Sequence, residues 1–276
     1  MSRATLWDRV RTLLDFTPYM GRLQRQDDLG FSVKELPFDR MVRRARELGI
    51  TVHDLRQYPR LGKHKRGSAK GTRNITDIST VLFHQMAAVI NDPMRCLGIP
   101  SHGAIVRNGD IVLQQPLRAH MWHANAANKF SIGIEIAARA AGIDGDPRTF
   151  WRTKNERNGY TDKRGIRHPP KTYDDVGAEV THKQIQAANI LADYYIEETE
   201  RQGGQIDHTM DHRNSHKSRV GCPGSRIHKH CTAATAWRHI LTHHEPVGSG
   251  KPNPEAWSGK PGERYSWNVD ATGGQA

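Results

Sequence analysis

Ser131-Ile132-Gly133-Ile134-Glu135-Ile136-Ala137 is the stretch on which the fold turns. Ile132, Ile134 and Ile136 take alternate positions, the period of a strand with one buried face, and Gly133 and Glu135 fall on the other face. A carboxylate therefore projects from the side turned away from the core. Upstream, Val81-Leu82-Phe83 is a short apolar run that ends in His84. Between them, Gly103-Ala104-Ile105-Val106 and Ile111-Val112-Leu113 flank Arg107-Asn108-Gly109-Asp110, the signature of two strands around a tight turn. Downstream, Thr181 suits a helix N-cap, and Ile185, Ala188, Ile190, Leu191, Ala192, Tyr194, Tyr195 and Ile196 supply the apolar face of a helix ending near Gly203-Gly204. These elements predict an α/β (α+β) fold, a central mixed β-sheet flanked by helices.

Outside that centre the composition changes. Residues 5–15 place Leu6, Val10, Leu13 and Leu14 at helical spacing, and Phe38, Met41, Val42 and Ala45 repeat the pattern before Gly49. Residues 62–73 are basic, Gly-rich and without periodicity, as in a linker. Residues 1–70 are therefore expected to be a helical extension with a basic linker, and 71–244 the main domain. Within it, residues 142–178 are too polar for a core and read as a surface excursion. Residues 245–276, rich in Gly, Pro, Ser and Lys, are expected to form a disordered tail.

Forty-one Lys and Arg against 29 Asp and Glu give a formal charge of +12, which favours polyanionic partners. Nucleic acid is one such partner, but no nucleic-acid-binding motif accompanies the charge. The three cysteines, Cys96, Cys222 and Cys231, are too few for a disulfide framework and leave metal or packing roles. No run reaches the length of a membrane span, and Met1 to Asp8 lacks the apolar centre of a secretory signal.

Sixteen histidines make the residue type uninformative, so position must sort them. His84 closes a buried strand, where a side chain can enter a cleft. His212 and Cys222 share the segment Asp211 to Gly224, closed by Pro223-Gly224. Imidazole and thiolate are good zinc donors, and two His with one Cys leave a tetrahedral ion one open position, the pattern of a catalytic site. Cys231 lies in the compact run His228-Lys229-His230-Cys231, but on a helix that spacing turns the side chains in different directions. Cys231 and Cys96 are accordingly expected to be packing residues.

Taken in order, these segments resemble the zinc-dependent N-acetylmuramoyl-L-alanine amidase family (amidase type 2), which includes phage lysozyme-type amidases, bacterial anhydro-muramyl-peptide amidases and animal peptidoglycan recognition proteins. The resemblance spans residues 75–230. It rests on Leu82-Phe83-His84-Gln85, on the hairpin from His102 to Leu113, on Trp122-His123-Ala124-Asn125, on Ser131 to Glu135, and on His212-Arg213 with Arg219 to Gly224. No single motif is specific; their shared order and spacing carry the likeness.

The resemblance implies one zinc ion on His84, His212 and Cys222, and Glu135 as the catalytic carboxylate that takes a proton from water and passes it to the leaving amine. It makes His102, Trp122, His123, Asn125, Lys217 and Arg219 the substrate-binding or oxyanion candidates. The chain departs from the family pattern at Ser101, where many members carry Tyr, and at Val220, where they carry Lys or Thr. Those side chains help stabilise the oxyanion in the family; here Lys217, Arg219 and His123 stand as replacements.

The implied activity is hydrolysis of the amide between N-acetylmuramic acid and L-alanine in bacterial peptidoglycan, by a monomer without organic cofactor. The rival readings are a peptidoglycan-binding module without catalysis and a basic nucleic-acid-binding protein. With no signal segment, the expected setting is cytoplasmic synthesis followed by action at the cell wall or periplasm, as in a phage lysin, a virion-associated enzyme or a secreted effector.

Overall fold

The computed structural model describes residues 35–57, 71–142, 150–255 and 257. Strands β1 (Val52–Asp54), β2 (Thr80–Gln85), β3 (Gly103–Ile105), β4 (Ile111–Leu113), β5 (Ser131–Ile136), β8 (His208–Asp211) and β9 (Thr242–His243) form one sheet, ordered β1-β4-β3-β5-β2-β8-β9. The hairpin partners β3 and β4 are antiparallel, and the other neighbours are parallel. Its turn closes on Gly109 at φ 91°, a left-handed conformation that glycine adopts without a Cβ penalty. The mixed sheet expected from the sequence is thus observed.

Alternation along the strands divides the sheet into two faces. Val81 and Phe83 of β2 and Ile132, Ile134 and Ile136 of β5 pack with Ala188, Leu191 and Tyr195 of the helix α4 (His182–Arg201) in the main core. Burying each large aliphatic side chain contributes about 1.5–3 kcal/mol. Thr181 starts this helix with a capping box: its Oγ1 accepts from the Gln184 N–H at 3.2 Å, and Gln184 Oε1 accepts from the Thr181 N–H at 3.0 Å. On the opposite face, Leu82 and Met210 meet Ala124 and Ala127 of the segment before β5. His84, Gly133 and Glu135 belong to this second face.

Three boundaries expected from the sequence change. First, residues 35–57 are no extension. Helix α1 (Pro37–Glu47) buries Met41 and Ala45 in the main core. Arg40 and Arg44 reach Glu197 and Asp193 of α4 at 2.9 and 2.8 Å. β1 pairs with β4 as an edge strand. The amphipathic face of α1 needed a partner, and local periodicity could not say that α4 supplies it.

Second, the described residues after 245 are not a tail. The Val247 N–H donates to Asn214 O at 2.8 Å, the Lys251 N–H to Arg213 O at 2.9 Å, and Trp257 is fully buried. Gly and Pro here serve close backbone docking: a Cβ on Gly250 would collide with the Asn214 carbonyl. Third, the polar stretch from 150 to 178 holds short elements, α2 (Lys154–Asn158), the hairpin β6 (Tyr160–Thr161) and β7 (Arg167–His168), and α3 (Tyr173–Val176). The helix expected at 5–15, most of the basic linker and residues 258–276 lie outside the described residues.

Candidate metal centre

In-register pairing of β2 with β5 sets His84 directly beside Glu135. β8 runs along the other side of β2, with Asp211 opposite Phe83, so the chain leaves the sheet at His212 next to His84. The loop then returns Cys222: the Arg213 N–H donates to Cys222 O at 3.1 Å, and Gln85 Nε2 donates to Gly221 O at 2.6 Å. Gln85 Oε1 in turn accepts from the Ala140 N–H at 2.7 Å. Sheet register, not sequence proximity, assembles the site.

Donor atoms of His84, His212 and Cys222 all lie within 4.8 Å of one another, the one such group among the described residues. His84 Nδ1 and His212 Nδ1 are 2.9 Å apart, and Glu135 Oε1 is 3.7 Å from His84 Nδ1. Both histidines are buried, and Cys222 is half-buried. The set fits zinc: two imidazoles and a thiol converge, with a carboxylate alongside them. Glu135 Oε2 and His212 Nε2 are buried without a hydrogen-bond partner.

The surroundings press each group toward neutrality. Burial, then the neighbouring His212, His123 and Arg219, holds the His84 imidazole well below its ordinary pKa. Burial, then Arg219 and His123, does the same to His212. Burial, helped by Glu135, pushes the Cys222 thiol up. Burial raises Glu135 to about 8, with Arg219 pulling the other way. Desolvation disfavours every ionised form here, and an added cation would reverse the sign for the thiol and the carboxyl.

The remaining sequence candidates separate. His123 belongs to the site: its Nδ1 is 3.0 Å from His84 Nε2. His102 is withdrawn from it, fully buried, with Nδ1 accepting from the Gly133 N–H at 3.0 Å and Nε2 2.9 Å from Ala119 O. With both ring nitrogens engaged by backbone, it supports the sheet and offers nothing to a substrate.

Trp122 is 56% exposed beside His120, and Asn125 is exposed at a left-handed φ of 51°. Lys217 and Arg219 are both exposed; Arg219 is the one whose charge acts on His84, His212, Glu135 and Cys222. Ser101 is fully buried, its Oγ 2.6 Å from Gln114 Oε1, so it does not stand in for an oxyanion-stabilising hydroxyl. Cys231 packs in the main core and Cys96 in a smaller cluster with Leu97 and Val106.

Sequence reasoning missed two supports. Asp211, next to His212, is fully buried between His228 Nδ1 at 2.5 Å and Thr232 Oγ1 at 2.7 Å. The Val247 to Trp257 segment brackets the His212 loop through Asn214 and Arg213, and the Arg213 guanidinium lies 5.0 Å from the Trp257 ring centroid. The adjacency of Asp211 to His212 was the available signal for the first. A lone tryptophan in a polar stretch was the signal for the second.

No protein-family model and no curated protein matches the chain. Among solved structures, it is similar to the endolysin N-acetylmuramoyl-L-alanine amidase LysCS from Clostridium intestinale, at 13% identity and TM-score 0.41 over 69% of this chain and 96% of that one. It is similar to bumblebee PGRP-SA at 14% identity and TM-score 0.41, over 74% and 99% of the two chains. Drosophila PGRP-LB aligns at 16% identity and TM-score 0.41, over 72% and 99%. At these scores the likeness is coarse, and the functional reading rests on the chain's own residues.

Proposed function

We propose that this protein is a zinc-dependent N-acetylmuramoyl-L-alanine amidase that cleaves the lactyl–alanine amide of bacterial peptidoglycan. The observation that carries the reading is the convergence of His84, His212 and Cys222 within 4.8 Å, with the Glu135 carboxyl beside them. It joins the ordered motifs of the sequence, of which those carrying His84, His123, Glu135, His212 and Cys222 place residues at this site.

His84, His212 and Cys222 would hold the zinc, which when bound would supply Lewis-acid polarisation of water and of the scissile carbonyl. Glu135 manages the proton. Its Oε1, 3.7 Å from His84 Nδ1, stands beside the proposed zinc ligands, where a carboxyl can take a proton from water and return it to the leaving alanine amine. The unpartnered Oε2 leaves one oxygen available for that transfer. Arg219, exposed and cationic, is the side chain whose field favours negative charge developing at the site. Trp122 offers an exposed ring to a sugar or peptide. The net charge of +12 favours residence on an anionic wall, the proposed place of action.

The test is digestion of purified peptidoglycan, with release of L-alanine amino termini measured beside the zinc content of the protein. New amino termini in proportion to zinc support the amidase. A zinc-loaded protein that binds wall and releases none is a binding module.

A further inference from the structure

The second face of the sheet carries a chain of buried imidazoles whose protons can be placed by elimination. Ser131 Oγ donates to Ala127 O at 2.7 Å, so its proton is committed. His123 Nε2 sits 3.2 Å from that Oγ and 3.3 Å from the Ser131 carbonyl oxygen, and both can only accept from it. His123 therefore carries its proton on Nε2. The ring is buried and hydrogen-bonds no carboxylate, which leaves the neutral form in place. Its Nδ1 is thus a bare acceptor, 3.0 Å from His84 Nε2. His84 must donate there, and its own lone pair falls on Nδ1, the atom 2.9 Å from His212 Nδ1.

Gly133 explains how the His123 ring reaches this position. A Cβ on Gly133 would stand 2.4 Å from His123 Nδ1 and 2.8 Å from its Cγ, so the ring occupies the space that any other residue would fill. The Gly133 N–H is held by His102 Nδ1 at 3.0 Å, which fixes the floor beneath the ring. The Trp-His-Ala and Ser-Ile-Gly-Ile-Glu segments are therefore two halves of one device.

We propose that His123, seated on Gly133 and anchored to Ser131, is a positioning residue that locks His84 with its proton on Nε2 and its lone pair on Nδ1, preparing the ligand set before the ion arrives. The inference rests on the zinc reading for its purpose but not for its geometry. His212 has no equivalent support, since its Nε2 is buried without a partner. The preset ligand is His84.

The experiment uses the full chain in three variants: His123→Leu, His123→Gln and Gly133→Ala. In the zinc-free protein, ¹⁵N-resolved imidazole NMR should find His84 protonated at Nε2 in the wild type and redistributed toward Nδ1 in His123→Leu. Zinc affinity, measured by competition with a chelating dye, should fall about 10–100-fold in His123→Leu, the usual scale for losing the partner of a ligating histidine. His123→Gln keeps an acceptor for His84 and should recover most of that affinity. Gly133→Ala, which changes neither His123 nor any proposed ligand in the sequence, should also weaken zinc by displacing the His123 ring. Thermal melting of the zinc-free proteins identifies any variant that fails to fold, and His123→Gln and Gly133→Ala then decide. An Nδ1 proton on wild-type His84, or unchanged zinc affinity in a folded His123→Leu, overturns the proposal. If the wild type takes up no zinc while His84 shows the Nε2 proton and His123→Leu shifts it, the positioning role stands and the amidase reading falls.

Discussion

The Nδ1 atoms of His84 and His212 lie 2.9 Å apart although 128 residues separate them in the chain. Two imidazole nitrogens at that distance share either the proton of one neutral Nδ1–H tautomer or a cation, and the Cys222 thiol and Glu135 carboxyl beside them favour the cation. The purified protein should therefore hold one zinc per chain and melt at lower temperature after chelation. At zinc concentrations a thousandfold above Kd, binding to the folded state alone contributes about 4 kcal/mol. Calorimetry with and without chelator, beside elemental analysis, measures this, and identical melting of the zinc-free and zinc-supplied protein would contradict it.

Cysteine variants should divide by location. Cys222→Ser should strip the site of its thiolate and lower zinc affinity by more than tenfold. Cys231→Ser should instead destabilise, because it puts a hydroxyl into the main core, and Cys96→Ser should do the same in its smaller cluster. Zinc stoichiometry and urea midpoints for the three proteins separate the two effects. Equal zinc loss from Cys231→Ser would move the site.

Glu135→Gln keeps the shape of the side chain and removes its basicity. Turnover on purified wall should drop about 10²–10⁴-fold, the contribution expected of a general acid–base, while zinc content stays at the wild-type level. A variant within twofold of the wild-type rate would take Glu135 out of the proton path and leave Arg219 and Lys217 to be tested next.

The segment from Val247 to Trp257 should behave as part of the domain. Trp257→Ala removes a fully buried aromatic that meets Arg213 and His228, and should cost about 3–5 kcal/mol of stability. Truncation after Glu245 should also weaken zinc, because Arg213 and Asn214, which follow His212, lose their backbone partners at Lys251 and Val247. Denaturant unfolding and zinc competition measure both. Unchanged zinc affinity in the truncated protein would show that the His212 loop holds its shape alone.

Acid stability should report on Asp193, which joins α1, α4 and the helical turn at Arg238 and His239. Burial alone would raise its pKa, but hydrogen bonds from His239, Arg238 and Arg44 outweigh that and bring it to about 2. A depressed folded pKa stabilises the protein above the ordinary carboxylate value, and the stabilisation disappears as pH falls from about 4 towards 2. The displacement is worth about 2 kcal/mol. Urea midpoints followed across that window should fall in the wild type and flatten in Asp193→Asn; parallel curves would contradict the assignment.

The sequence alone determined the elements with strong local signals. The alternating isoleucines of 132–136, the hairpin around Asn108-Gly109 and the Thr181-capped helix all appear where their periods and turn residues put them. His84, His212 and Cys222 were legible as candidates by position and not by residue type, since sixteen histidines are present: one closes an apolar strand and the other two share a loop with a Pro-Gly closure. Tertiary structure decided what those signals could not carry. Helix α1 joins the core because α4 presents the face that its amphipathic stripe must bury. The polar segment after Val247 orders because its backbone hydrogen-bonds to the His212 loop, an interaction indifferent to hydrophobic period. His102 and His123 look alike in sequence, yet one meets backbone at both ring nitrogens and the other sets its Nδ1 3.0 Å from His84 Nε2. The division follows from range: period, caps and turns are set by neighbours along the chain, whereas proton placement and docking depend on which strands lie side by side.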